Sequence, residues 1–504
     1  MTKRQLKTSG MNLPTLDGVV LPDLIKKVLK GLSKAQIEIY LVGGFIRDMI
    51  LGLSSCDLDF IVVDRSALEL ARELALKYEG DCFLLDKITE TSRLVLRGES
   101  CKSYTFDFTP VLKANLEDDF RRRDFTINTL AVKLSEPDIL IDKFSGLDDL
   151  NKKIIKAVRL ENFLEDPLRF VRAFRFAALL QGEIEQKTFS FIKSKNNLSN
   201  KDEVTSLLQT VASERIAYEL WKILDCDNSF KYIKQMSDVG MLEVIVSELT
   251  PMRKVTPNSH HHLWLFDHSI ELIKTFEANF YKIPDWAKEE LSKPFGGTLS
   301  PAKKSIAKLG ALFHDIGKPD TWEIKKINGE EKHTFYGHDK LGAEITKTVC
   351  ERLKFSNAIS QSLCRLVRYH LRPFQLGSGV ACNATITERA LYRFFREVSE
   401  DIPLLLMLAM ADLYATCGPK ITKEDLANGE KLLLFLFDEY KKYQSHENEK
   451  AKKPKLLDGN EIMQLTGLKP CRELGELIKE LDETIAVGEV KTKEEAIGWV
   501  KARL

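Results

Sequence analysis

The hydrophobic pattern of the chain changes character about a third of the way along. Near the N-terminus, IEIYLVGG and LDFIVVD are short, β-branched and bounded by turn residues, which predicts buried strands. KSYTFDFTP alternates apolar and polar positions and predicts a third strand, and SALELARELALKYEG between them has helical period. From about residue 156 onward the period is helical almost throughout. NFLEDPLRFVRAFRFAALL and SERIAYELWKIL are strongly amphipathic, with Ser213 placed as an N-cap. Pro and Gly interruptions predict a loop over 277–302, and the lysine-rich KKYQSHENEKAKKPK predicts a linker around 441–456. No internal repeat is visible. These shifts divide the chain into an N-terminal arm (1–25), a strand-and-helix head (26–155), a helical neck (156–235), a helical body (236–425) and a helical tail (426–504). The expected fold class is α+β, a head with a mixed β-sheet followed by all-helical segments.

Composition narrows the class. A chain of 504 residues is too long for one core and predicts roughly three or four units. With 44% hydrophobic and 30% charged residues it has the make-up of a soluble globular protein. No run of about 18 apolar residues suggests a membrane span, and MTKRQLKTSG lacks the apolar stretch of a secretory signal. Nine cysteines are scattered without a CxxC pair, so neither a disulfide framework nor a thiolate zinc site is indicated, and a cytoplasmic location is expected. The net charge of +1 does not by itself imply a nucleic-acid partner. Local clusters, Arg121-Arg122-Arg123 and Lys152-Lys153, would have to carry phosphate contacts, although a charge run is usually a solvated face.

The chemistry concentrates in LVGGFIRDMILGLSSCDLD. Residues i and i+2 of a strand share a face, so Asp57 and Asp59 would converge. Close carboxylates repel unless a cation lies between them, and Mg²⁺ suits oxygen ligands and substrate phosphates. Asp107 on the neighbouring strand would complete a set for two-metal phosphoryl chemistry. A DxD pair alone is as readily a surface loop. Upstream, however, Gly43-Gly44 lets backbone amides approach a phosphate, and Arg47 adds a direct contact. LEDDFRRRDFTINTLAV sets Arg122, Arg123 and Asp124 before Asn128; in isolation it reads as a basic helix cap. In FLEDPLRFVRAFRFA, Asp166 and Arg169 are neighbours on one helical face, and Arg172 and Arg175 continue a basic stripe. The bland reading is an intrahelical ion pair with a solvated arginine row. The sharper reading is base selection. An Asp accepts from the amine of cytosine or adenine while an Arg donates to the ring nitrogen, and uracil and guanine present a carbonyl instead of that amine.

LVGGFIRDMILG, CDLDF, EDDFRRRDFTIN, DKFSGLDDL and EDPLRFVRAFRFA, in this order and spacing, closely resemble the class II tRNA nucleotidyltransferases, which include CCA-adding enzymes and bacterial poly(A) polymerases. The resemblance implies that Asp57, Asp59 and Asp107 are catalytic, with Asp57 and Asp59 holding Mg²⁺. It implies nucleotide contacts from Gly43, Gly44, Arg47 and Asp48, and sugar and phosphate contacts from Arg122, Arg123, Asp124 and Asn128. Asp166 and Arg169 would be the amino-acid template for CTP and ATP, and Arg172 and Arg175 would support the triphosphate. Thr129 departs from the usual Ala. The basic signature of poly(A) polymerases is missing from AALLQGEIEQKTFS, which favours tRNA end-building. The stretch between Asp107 and Arg121 has only thirteen residues. Full CCA-adding enzymes usually have a longer flexible loop there, so an enzyme adding only the two cytidines from CTP is favoured over full CCA addition with ATP; a separate A-adding enzyme would then complete the end.

The histidines form a second constellation, in SHHHLWLFDHSIELI, LGALFHDIGKP, FYGHDKLGA and VRYHLRP, followed by MADLYA. His268, His314, Asp315 and Asp412 make a mixed N/O ligand set for a divalent metal. The region resembles HD-domain phosphohydrolases, which makes those four residues ligands of a second metal, with His338 and His370 nearby. A degenerate HD fold kept as a tRNA-binding scaffold is the structural alternative. The tail resembles that of HD-containing members, which implies contact with the tRNA elbow by shape and phosphate. Two competing readings of other classes are a non-catalytic RNA-binding protein on this fold, and an enzyme whose main activity is HD hydrolysis.

Overall fold

The computed structural model describes residues 22–503 except 36, 88, 99–102, 112–115, 196–200, 257–262, 298–299, 328–329, 378–385, 417–420 and 451–454. The chain forms two compact units, Met1–Val211 and Ala212–Leu504.

The first unit opens with α1 (Asp23–Ser33), β1 (Ile39–Val42), α2 (Gly44–Ile50), β2 (Asp57–Val63) and α3 (Ala67–Tyr78). There follow β3 (Asp81–Asp86), β4 (Thr91–Arg97), β5 (Ser103–Val111), α4 (Leu116–Arg122), β6 (Ala131–Lys133), β7 (Leu140–Ile141) and α5 (Gly146–Asn151). The seven strands make one sheet in the order β3-β4-β5-β2-β1-β6-β7. Only β2 and β5 run parallel; the remaining pairings are antiparallel, so the sheet is mixed. Burial explains the register. Phe60 of β2 stacks on Phe106 and Phe108 of β5 in the core, while Asp57 and Asp59, at alternate positions, stay on the open face. A helical segment completes the unit: β8 (Ile154–Ile155), α6 (Asn162–Glu165), α7 (Arg169–Leu180), β9 (Glu183–Ile184), α8 (Gln186–Lys195) and α9 (Lys201–Gln209), with β8 and β9 paired in parallel.

The second unit contains α10 (Ser213–Leu224), α11 (Ser229–Asp238), α12 (Met241–Ile245), α13 (Leu265–Asn279), α14 (Asp285–Ser292) and α15 (Lys303–Phe313). A hairpin, β10 (Glu323–Ile327) with β11 (Glu330–Thr334), precedes α16 (His338–Arg352), α17 (Asn357–Tyr369), α18 (Arg372–Gly377), α19 (Glu388–Val398) and α20 (Ile402–Ala415). The tail holds α21 (Lys423–Lys450), α22 (Gly459–Thr466), α23 (Arg472–Ala486) and α24 (Lys493–Lys501). Helix α20, IPLLLMLAMADLYA, is apolar on all sides and runs through the core, as a helix without a polar face must. No helix among the described residues is long and apolar enough to cross a membrane.

Several sequence expectations shift. Ser213 is the first helical residue, and the cap position is Ala212, without a side-chain bond. The segment 277–302 is not a loop: α13 runs to Asn279 and α14 fills Asp285–Ser292, with Pro284 at the N-cap, where its missing N–H is harmless. The polar stretch from 441 is the continuation of α21 to Lys450, a solvated helix rather than a linker; 451–454 lie outside the described residues, as do 1–21 of the expected arm. NFLEDPLRF is not one helix. Pro167 disfavours helical backbone at the preceding residue, so Asp166 is extended (φ −132°, ψ 94°) between α6 and α7.

Candidate functional site

In the head, Asp57 and Asp59 project from the open face of β2, and Asp107 is the direct partner of Asp59 on β5. The Thr105 hydroxyl donates to Asp57 Oδ1 from the same strand. Protein crowding pushes the Asp59 carboxyl above the usual range; Arg123 opposes the rise, while the Asp107 and Asp57 charges add to it. Asp107, expected to complete the carboxylate set, is paired with an arginine. Arg93, opposite it on β4, donates Nε to Oδ1 and Nη2 to Oδ2, both at 2.7 Å, a bidentate pair. Arg93 and Thr105 escaped the sequence reading; only the strand pairing puts them beside the carboxylates.

The glycine turn behaves as its sequence suggests. Gly43 has φ +77° and ψ −133°, a backbone only glycine adopts readily, and a Cβ there would lie 2.5 Å from Arg123 Nη1. Helix α2 then carries Arg47 inward, where the residue is 5% exposed. Asp48 holds Arg47, accepting from Nε (2.8 Å) and Nη2 (2.6 Å). Arg47 Nη1 donates to Asn128 Oδ1 (2.5 Å), and Asn128 Nδ2 donates to Asp124 Oδ1 (2.8 Å). Asp124 Oδ2 accepts from Arg172 Nε (2.9 Å) and Nη2 (2.6 Å). A chain of hydrogen bonds thus links buried Arg47, Asn128 and Asp124 to half-buried Arg172 across three separate motifs. Burial alone would raise the Asp124 carboxyl, but Arg172, Asn128 and the Phe125 N–H pull it down to about 2.

Arg122 and Arg123 are presented by a backbone gripped from below. Buried Asn162 donates Nδ2 to the Arg121 and Arg123 carbonyls at 2.8 Å each, and Arg169 Nη2 donates to the Arg122 carbonyl at 2.6 Å. Arg123 itself reaches Asp119 and the Asn128 carbonyl. Asn162 carried no sequence signal. Arg169 also donates Nη1 to the Asn162 carbonyl (2.8 Å), so its guanidinium is pinned; Asp166 Oδ1 accepts from the Leu168 N–H (3.3 Å). The two residues expected to read a base therefore stand together at the start of α7 with their backbones and one guanidinium fixed.

The second unit gathers the histidines. His268 lies on α13, His314 and Asp315 follow α15, His338 begins α16, His370 follows α17, and Asp412 is the sole charged residue of α20. In three of the histidines Nδ1 sits 2.7 Å from a carbonyl three residues earlier: His314 with Ala311, His338 with Phe335, His370 with Val367. In His338 and His370 that bond places the proton on Nδ1 and leaves Nε2 as an acceptor facing inward, the arrangement of a metal-ligating imidazole; in His314 burial is outweighed by the Asp315 carboxylate, which raises the imidazole above its usual range. The Nε2 atoms of His338 and His370 are 3.3 Å apart. Two lone pairs so placed repel, and a shared cation removes the repulsion. His268 Nε2 is 3.2 Å from Asp412 Oδ1. Asp315 is central: its Oδ2 is 3.0 Å from His314 Nε2, and its Oδ1 is 3.4 Å and 3.6 Å from His338 and His370 Nε2. Lys318, one helical turn on, reaches Asp315 Oδ2 at 2.6 Å. Two groups, His268–His314–Asp315 and Asp315–His338–His370, each bring their ligand atoms within 4.8 Å of one another. Burial holds His268 and His338 below the usual imidazole range and His370 at about 3, so these rings are neutral and ready to coordinate.

The family model for the poly A polymerase head domain matches residues 39–156, that for a probable RNA and SrmB-binding site of polymerase A matches 183–253, and the HD domain matches 267–416. The A-adding tRNA nucleotidyltransferase of Deinococcus radiodurans is 31% identical over 465 residues, 92% of this chain and 94% of that protein. The CC-adding tRNA nucleotidyltransferase of Thermus thermophilus is 31% identical over 458 residues, 90% and 91% of the two chains. The fold is similar to that of the Thermotoga maritima CCA-adding enzyme solved with tRNA, with TM-score 0.58, 20% identity and 96% of each chain covered. Relatives of this identity, matched nearly end to end, establish that the chain belongs to the class II tRNA nucleotidyltransferases and carries an HD domain.

Proposed function

We propose that the head adds cytidines from CTP to the 3′ end of tRNA, releasing pyrophosphate, with Asp57 and Asp59 holding Mg²⁺. The observation that carries this reading is the pair of carboxylates on β2 beside the hydrogen-bonded Arg47–Asn128–Asp124–Arg172 chain. Bound Mg²⁺ supplies activation of the RNA 3′-hydroxyl and charge neutralisation at the triphosphate. The chain's own residues do the rest. Gly43 leaves room for the Arg123 guanidinium beside Asp59, and Arg122 and Arg123 face the phosphates from a segment that Asn162 and Arg169 clamp. Asp166 and Arg169 select an amino-bearing base, which admits cytosine and adenine alike. The short connection from β5 to α4, four residues, supports CC addition. A second reading, addition of the terminal adenosine alone, follows the A-adding relative. The tail contacts tRNA through phosphates and shape, and the reaction is assigned to the cytoplasm.

The HD centre is proposed to hold divalent metal, one ion at His268, His314, Asp315 and Asp412, a second at Asp315, His338 and His370, and to hydrolyse phosphate esters at RNA ends. Charging tRNAs that end before CCA, after C and after CC with each labelled nucleotide tests the head. CTP incorporation on the first two substrates, with no ATP incorporation on the third, supports CC addition. ATP incorporation on the third alone supports the second reading, and incorporation of both CTP and ATP identifies full CCA addition.

A further inference from the structure

Three guanidiniums of the head surround a single buried ring. The Cζ atoms of Arg47, Arg172 and Arg175 lie 4.8, 5.2 and 4.0 Å from the centroid of Phe176. Arg47 comes from α2, and the other two come from α7. Phe176 is 1% exposed and is fixed from behind by an edge-to-face contact with Phe125 (5.5 Å, 72°), itself packed against Phe163 (6.0 Å, 83°). Like charges gathered this closely repel, and Arg47 is buried while Arg172 and Arg175 are partly buried. An aromatic face attracts cations through its quadrupole, most strongly where they are desolvated.

We propose that Phe176 is a positioning residue for the nucleotide triphosphate: its ring gathers Arg47, Arg172 and Arg175 into one preorganised anion-binding cluster before the nucleotide arrives. This rests on the reading that these arginines receive the triphosphate. Asp48 and Asp124 orient two of the guanidiniums by hydrogen bonds. The ring adds what carboxylates cannot. It lowers the energy of assembling the three cations without neutralising the charge that a triphosphate needs, so binding does not have to supply that ordering.

Progressive fluorination tests the idea with little change of shape. The full-length protein is prepared with phenylalanine, 4-fluoro-, 3,5-difluoro- and 3,4,5-trifluorophenylalanine at position 176. The Kd for CTP with Mg²⁺ and no tRNA is measured for each, together with KM, kcat and melting temperature. Kd and KM are expected to rise stepwise, by about tenfold across the series, the order set by weakening contacts of this kind, while kcat and melting temperature hold. Arg175→Gln serves as the reference. If Arg175→Gln weakens CTP binding but the fluorinated series is flat, Phe176 is only a packing residue and the proposal is overturned, with the arginine reading intact. If Arg172→Gln and Arg175→Gln both leave CTP binding unchanged, the arginine reading fails and this inference fails with it. A fall in melting temperature that tracks Kd would also overturn it.

Discussion

Asn128→Ala removes one amide that serves two charged groups at once. Its Oδ1 accepts from Arg47 Nη1 at 2.5 Å and its Nδ2 donates to Asp124 Oδ1 at 2.8 Å, and all three residues are buried. A hydrogen bond to a charged partner contributes roughly 1.5–3 kcal/mol, so the two sum to about 3–6 kcal/mol. Arg47 keeps Asp48, and Asp124 keeps Arg172 and the Phe125 N–H, so neither charge is orphaned and part of the loss is recovered by relaxation. The expected destabilisation is about 3 kcal/mol. For a unit the size of Met1–Val211 that lowers the transition of the head by about 6–12 °C. Differential scanning calorimetry on the full chain reads the shift. A double-mutant cycle with Arg47→Met isolates the Arg47–Asn128 bond, with an expected coupling of at least about 1 kcal/mol. A head transition moved by less than about 2 °C, or a coupling indistinguishable from zero, would refute the reasoning that this buried chain is a single cooperative network.

Further outcomes follow from other parts of the molecule. Asp124 titrates at about 2 in the folded chain against roughly 3.9 unfolded, so its stabilising contribution is present above pH 4 and lost as pH falls through 2. Asp124→Asn should therefore cost about 2 kcal/mol at pH 7, with the difference from wild type shrinking between pH 4 and 2 in urea unfolding; a difference independent of pH contradicts the assignment. In the HD domain, metal analysis by inductively coupled plasma mass spectrometry should find divalent metal in the purified protein, and Asp315→Asn should reduce it to about a tenth or less. His338→Gln with His370→Gln should leave the ion held by His268, His314, Asp315 and Asp412. Unchanged metal content in Asp315→Asn would remove that residue from the centre.

The order of motifs made the family legible from sequence, because strand alternation puts Asp57 and Asp59 on one face whatever surrounds them. The residues of the histidine cluster were legible from their types and order, and the fold brings His268, His314 and Asp315, and Asp315, His338 and His370, within reach of one another. Contacts that depend on which strand lies next to which were not legible. Arg93 sits fourteen residues before Asp107 and reaches it only because β4 pairs with β5 in that register. Asn162 grips the Arg121–Arg123 backbone from a position about forty residues away, with no local pattern to announce it. That Asp48 orients the neighbouring Arg47 guanidinium was likewise visible only in the fold. The α14 helix was hidden by Pro and Gly at its edges, which mark where a helix starts and stops as readily as where a loop runs.

The role of the carboxylate pair on β2 can be read most directly from single-turnover incorporation of labelled CTP onto tRNA lacking its CCA end, comparing wild type with Asp57→Asn and Asp59→Asn and measuring tRNA binding in parallel. Each substitution is predicted to lower the rate by about a thousandfold or more, the scale of lost metal-ion stabilisation, with tRNA affinity unchanged. Incorporation within tenfold of wild type in either variant would contradict the assignment of the nucleotidyltransferase centre to these two aspartates.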